Sequence, residues 1–308
     1  MVKYAAPDAV AVADIAGTVA VSEQFDVVRM ARLLEVSTSG FYEWKKRTAA
    51  TELTDRKQRR ADLTVKILDA HAASAGTYGS PRITDELRDQ GERVSAKTVA
   101  AIMASIGLQG ISPRTFKVRI TVQDPTASFP ADLVARQFDQ GRPDAVWTTD
   151  VTYLTCGEGD MFLCAVRDGH TRRVLGYSIA DHIGADMVTA AIDAAVAARG
   201  GDCRATILHS DRGGEFTAGL TAQACSRHGL RRSMGATGIC WDNSASESLW
   251  SSFKHEHYYR HVYPTKAELV ASVYNWMDWY NNRRRHSSIG SISPVRFEQL
   301  LTMAAEAA

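Results

Sequence analysis

The chain has 308 residues, 45% of them apolar and 23% charged, with a formal net charge of +1. This is an ordinary globular composition with room for more than one compact unit, and it excludes disordered and fibrous classes. No apolar run approaches the ~18 residues of a membrane-crossing helix, and Asp8 and Asp14 interrupt the Ala/Val-rich start, so neither a membrane span nor a signal peptide is expected.

Residues 1–24 are small with no clear period, and are expected to be poorly ordered. From Phe25 a helical pattern begins. Val28, Ala31 and Leu34 share a face, Ser37 caps a second helix anchored by Phe41 and Trp44, and Leu63, Ile67 and Leu68 mark a third. Tyr78-Gly79-Ser80-Pro81-Arg82 then opens a helical pair. Ile83 and Leu87 line its first helix, Gly91 breaks it, Ser95 caps the next, and Val99, Ile102, Met103 and Ile106 form the second stripe before Gly107. Two helices across a Gly-containing turn are helix-turn-helix geometry, with Lys97 and Thr98 where side chains meet DNA; a plain packed hairpin has the same pattern. Residues 25–110 are therefore read as a helical, helix-turn-helix-like region, and 111–144, with four prolines, as a linker.

Strands are expected at Val146–Leu154, Met161–Val166 and Val174–Ile179, separated by short glycine turns. A helix through Met187 and Ala195 ends at Gly200-Gly201. A short strand (Ala205–His209), a helix (Thr217–His228), a strand (Arg231–Met234) and a helix (Asp242–His257) follow. The order βββαβαβα, with a mixed five-stranded sheet between helices, is the ribonuclease-H-like arrangement, an α/β core spanning 145–260. Thr265-x-x-Glu268 opens a last long helix carrying Leu269, Val273, Trp276 and Tyr280, which ends in the basic run Arg283-Arg284-Arg285-His286, so 261–308 form a C-terminal helix and basic segment.

Charge is divided along the chain: +6 over 25–119, −5 over 120–247 and +4 over 248–296. An acidic centre suits divalent cations and basic flanks suit a polyanion, although chance variation of solvated surfaces gives the same profile. The five cysteines form no C-x-x-C pair and are odd in number, which argues against a disulfide framework or structural zinc and for a reducing cytoplasm.

Three carboxylates stand out. Asp150 interrupts a strand-forming run, Asp211 follows the apolar Ile207-Leu208 strand, and Glu247 lies near the start of the last core helix, 35 residues beyond Asp211. Lys254 follows Glu247 two helical turns on, on the same face. Each has a bland alternative: a local hydrogen bond to Thr148 or Thr152, a Gly-rich turn, and a Ser244-x-x-Glu247 capping box. Jointly they occupy positions that can converge. Two carboxylates ~4 Å apart repel by about 4 kcal/mol at an effective dielectric of ~20, so a cluster needs protons or a hard cation. Asp168, Asp242 and Glu215 are read as turn, cap and surface residues. His255 and His257 point apart on a helix, and Trp276, Trp279 and Tyr280 are read as core.

The motifs Tyr78-Gly79-Ser80-Pro81-Arg82-Ile83, Trp147 through Tyr153 around Asp150, Ser210-Asp211-Arg212-Gly213, Trp241-Asp242-Asn243 through Glu247, and Tyr280 through His286 carry a resemblance. The chain resembles the second-reading-frame protein (OrfB) of the IS-three family of bacterial insertion sequences, within the retroviral-integrase-like DDE superfamily. The resemblance implies an Mg²⁺-dependent transposase in which Asp150, Asp211 and Glu247 bind two Mg²⁺ (or Mn²⁺) ions. It cleaves a DNA strand with water, and the freed 3′-hydroxyl attacks a second phosphodiester. Lys254, Arg82, Lys97, Arg283, Arg284, Arg285 and His286 are the implied DNA contacts. The partners implied are element ends, target DNA, further copies of the chain and an upstream-frame partner or fusion, in a cytoplasmic, nucleoid-associated setting without a membrane. Ser244 stands where the family usually has alanine, the zinc module of retroviral integrases is absent, and no sustained heptads are present. A non-catalytic DNA-binding regulator and a nuclease that does not join strands are the alternatives.

Overall fold

The computed structural model describes residues 26–49, 54–111, 129–201, 203–235 and 244–307. The chain forms two compact units, 1–63 and 64–308, divided inside helix α3 (Asp55–Ala73). In the first unit, the Asp26 carboxylate accepts from Val28 N at 3.0 Å to cap α1 (Val27–Leu33). Ser37 Oγ accepts from Gly40 N at 3.0 Å at the start of α2 (Thr38–Ala49). Of the expected α1 stripe only Ala31 is buried; Val28 and Leu34 are exposed.

After the rest of α3, the second unit holds the expected helical pair, α4 (Ser80–Asp89) and α5 (Ala96–Ser105). Ile83, Leu87, Val99, Ile102 and Met103 are buried, Ile106 is not, and Ser95 Oγ caps α5 by accepting from Thr98 N at 3.1 Å. Gly91 and Gly107 take positive φ, the conformation that lets the chain leave each helix without a Cβ penalty.

Five strands follow: β1 (Val146–Cys156), β2 (Gly159–Asp168), β3 (Val174–Ala180), β4 (Ile207–Ser210) and β5 (Arg231–Met234). Their spatial order is β3-β2-β1-β4-β5; β1, β2 and β3 pair antiparallel, while β4 runs parallel to both β1 and β5. Helix α6 (Ala185–Ala198) connects β3 to β4. The helix expected at about 217–228 is α8 (Gly219–Arg227), preceded by the short α7 (Gly214–Thr217), with Ala218 in extended backbone (ψ 147°) between them. Beyond β5 come α9 (Ser244–Glu256), α10 (Lys266–Asn282) and α11 (Pro294–Glu306). The last was not anticipated, although Ser293-Pro294 is a helix-start signature.

Alternation along β2 divides the core. Cys164 and Val166 join Trp147, Val188, Ala191, Ile192 and Ala195 on the α6 face. Leu163 and Ala165 join Leu249, Phe253, Val273, Trp276 and Tyr280 on the α9–α10 face. Gly176 permits the close approach of α6: a Cβ there would sit 2.3 Å from Ala191 O. Within the expected linker, 112–128 lie outside the described residues, while Val134 and Phe138 are buried against Val146, Ile207 and Ala245. Among the described residues no helix is long and apolar enough to cross a membrane.

Candidate active site

Register explains how two acids far apart in sequence meet. In the parallel β1–β4 ladder Thr148 lies opposite His209. Continuing that register by two residues sets Asp150 beside Asp211, on strands spaced ~4.8 Å apart. Period 2 places Asp150 on the same face as Leu154, which packs toward α9. From α9, Trp250 Nε1 donates to Asp150 Oδ2 at 3.1 Å. Glu247 is in the first turn of that helix, three residues before Trp250 and on a neighbouring part of its surface.

The electrostatics agree with this placement. Burial, then the Asp211 charge, and more weakly Glu247, push the Asp150 carboxyl up to about 8, against hydrogen bonds from Val151 N and Trp250. Burial also raises Glu247. Its Oε2 is buried without a hydrogen-bond partner, so this oxygen does not serve the capping box that competed with a functional role. The exposed Asp211 accepts from Gly213 N at 2.9 Å through Oδ1. Among the described residues no group of three His, Cys, Asp or Glu side chains is gathered as a formed metal cluster. The Trp241-Asp242-Asn243 part of the motif lies outside the described residues. What remains fits a hard cation in kind: oxygen donors, one of them buried and unpartnered, and a carboxyl that resists ionisation without compensating charge.

The neighbours are informative too. Asp168, fully buried, accepts from His170 N and Thr171 N at 2.8 Å and from Asp144 N at 2.7 Å, so it organises a turn. Glu215 was read as a surface residue; it is half-buried, and burial and the Asp211 charge raise its carboxyl. Arg167, 4% exposed, donates to Ala245 O at 2.6 Å and braces the first turn of α9. Sequence reasoning missed it; a cation at an inward strand position was the available signal. Trp276 and Tyr280 are buried, whereas His255 binds Ser251 O and His257 binds the Ser272 hydroxyl.

The basic residues separate into two groups. Lys97 and Arg283 are exposed and Lys254 is half-buried on α9. Arg284, 4% exposed, instead grips Glu256 through Nε (2.7 Å) and Nη2 (2.6 Å), and Arg82 reaches the same carboxylate at 3.4 Å. Arg285 binds Glu86 and Asp89. His286 packs edge-on to Tyr280, and burial among arginines holds it well below its usual pKa. Neither Arg284 nor Arg285 presents an uncommitted guanidinium to a polyanion.

Residues 140–240 and 228–294 match the family described as Integrase core domain, and 57–116 match the HTH-like domain. An integrase core domain preceded by an HTH-like domain, in a chain similar to transposases over most of its length, defines a DDE polynucleotidyl transferase. The chain is similar to transposase InsF for insertion sequence IS3A of Escherichia coli (strain K12), 34% identical over 276 residues that cover 89% of this chain and 94% of the relative. It is also similar to the transposase described for insertion sequence element IS986/IS6110 of Mycobacterium tuberculosis, 31% identical across 80% of this chain and 90% of the relative. Among solved structures, the HTLV-2 integrase catalytic core domain in complex with magnesium aligns with TM-score 0.36 and 15% identity over 50% of this chain and 96% of that one. The chain belongs to the IS3 family of insertion-sequence transposases, and its function is DNA transposition.

Proposed function

We propose that Asp150, Asp211 and Glu247 are the three carboxylates on which transposition by this chain depends, and that they hold Mg²⁺ or Mn²⁺. The observation that supports this reading is the β1–β4 register, whose Thr148–His209 pair, continued by two residues, brings Asp150 towards Asp211, together with the Trp250–Asp150 hydrogen bond from the helix that carries Glu247. Two such ions, when bound, supply an acidified nucleophile and charge compensation for the leaving oxygen. The protein's own groups do the rest. Trp250 fixes the direction of the Asp150 carboxyl, Gly213 N fixes that of Asp211, and the unpartnered Glu247 Oε2 remains available to accept. At neutral pH Asp150 holds a proton that a cation must displace.

We assign the DNA contacts to Lys97 and Arg283, which are exposed, and to Lys254 for its place two helical turns beyond Glu247 on the same face of α9. Arg82, Arg284, Arg285 and His286 are assigned instead to holding the protein together, because their partners are already protein groups. Element ends and target DNA as substrates, assembly with further copies, a partner from an upstream reading frame and a cytoplasmic site of action all belong to this proposal. It is tested by incubating the full chain with labelled element ends, a target plasmid and Mg²⁺. Joined products support strand transfer; cleavage without joining indicates a nuclease; a mobility shift without turnover indicates a regulator.

A further inference from the structure

The family resemblance implies DNA contacts at Arg82 and at Arg284 through His286, yet the structure commits these residues to protein partners. Glu256, in the last turn of α9 and 4% exposed, lies between two guanidiniums. Arg284 binds it in a two-pronged contact at 2.6 and 2.7 Å, and Arg82, from the first turn of α4, reaches it at 3.4 Å. The remaining donors of Arg284 go to Ser252 Oγ and a His286 ring nitrogen, each at 3.2 Å. Since a guanidinium only donates, His286 accepts and is neutral. Beside this centre, the Tyr78 hydroxyl accepts from Arg285 N at 2.8 Å, and the Arg285 side chain reaches Glu86 and Asp89 on α4. Three segments far apart in sequence are therefore fastened at the far end of the helix that carries Glu247.

A buried carboxylate between two arginines is not a cheap way to gain stability, because the desolvation of three charges offsets much of their attraction. Its product is a fixed geometry. Glu247 and Glu256 are nine residues apart on one helix, a rigid separation of about 13 Å. Whatever DNA the exposed Lys97 end of α5 engages is held by a body attached at one end of this rod, while the acids sit at the other. We propose that Glu256 is a positioning residue: with Arg284 and Arg82 it locks the α4–α5 pair to α9, and this lock sets which phosphodiester is presented to Asp150, Asp211 and Glu247. The inference rests on the function proposed above for those three residues.

The test uses the full chain carrying Glu256→Gln, which keeps shape but leaves two guanidiniums without their anion. Hydrogen exchange needs no DNA and no turnover. Amides of 83–105 are expected to exchange about tenfold faster or more, while those of β1 and β2 stay unchanged. On end-labelled element DNA, binding is expected to persist while cleavage, single in the wild type, spreads to neighbouring phosphodiesters. Arg284→Lys, which keeps a charge, should restore part of the single-site pattern relative to Arg284→Ala; a purely volumetric role gives no such rescue. Unchanged exchange in Glu256→Gln overturns the lock, and faster exchange with a single cleavage site overturns its positioning role. If Glu256→Gln does not fold, Arg82→Gln, which spares the Arg284–Glu256 pair, is read by the same two measurements. If the wild type does not cleave, the function proposed above fails and the exchange result alone decides the lock.

Discussion

Asp150→Asn is expected to stabilise the protein while destroying its chemistry. In the fold, the Asp150 carboxyl is raised from 3.8 to about 8, first by burial and then by the Asp211 charge. At ~1.4 kcal/mol per pH unit, the full shift sets an upper bound of about 6 kcal/mol against the ionised form. Water penetration and an effective dielectric near ~20 reduce the realised value to about 1–3 kcal/mol. The sign follows from proton counting. Between pH ~4 and ~8 the native state keeps a proton that the unfolded chain has released, so the wild type loses stability as pH rises through this window. Asn does not titrate and escapes this loss. Thermal melts without divalent cation should show Asp150→Asn above the wild type by roughly 3–10 °C at about pH 8, with the gap closing towards about pH 4. Added Mg²⁺ should narrow the gap from the other side, since a ligand at 100 times its Kd stabilises only the protein that binds it, by about 2.7 kcal/mol. A variant that melts at or below the wild type throughout, or a gap that does not change with pH, refutes this electrostatic account of the site.

Trp250→Phe removes the indole donor to Asp150 and keeps an aromatic ring in the core, so cleavage should fall about tenfold or more with little change in melting; wild-type turnover speaks against Trp250 as the brace. Lys254→Ala should weaken binding to element ends and reduce the slope of log K against log salt by about 1; an unchanged slope in anisotropy titrations removes Lys254 from the DNA contacts. Gly176→Ala places a methyl group 2.3 Å from the Ala191 carbonyl oxygen and should cost about 3 kcal/mol in urea unfolding as α6 is displaced. A loss below about 0.5 kcal/mol shows that the helix can move aside.

The legible parts of this chain are those whose causes are local. Ser37, Ser95 and Thr265 announce helix starts because a cap acts within three residues, and each accepts the expected backbone hydrogen bond. The sheet was legible from period-2 alternation, and the approach of Asp150 to Asp211 was implicit in a βββαβαβα order that brings β1 beside β4. What stayed hidden depends on distant partners. A basic run reads the same whether it faces a phosphate or a carboxylate, and nothing near Arg284 or Arg285 shows that Glu256 and Glu86 wait 28 and 199 residues away. Glu215 looked like a surface residue because only the fold turns it toward Asp211. Val134 and Phe138 were hidden by the prolines around them, which mark irregular backbone but say nothing of burial.

The central claim concerns which acids run the reaction, and a single-turnover strand-transfer assay on one carboxylate series addresses it most directly. Asp150→Asn, Asp211→Asn and Glu247→Gln should each lose joined product by about a thousandfold or more, with binding to element ends intact. Glu215→Gln, beside the same site, should stay within about tenfold of the wild type. Normal joining by any of the first three, or a loss in Glu215→Gln as deep as theirs, contradicts the assignment of the triad.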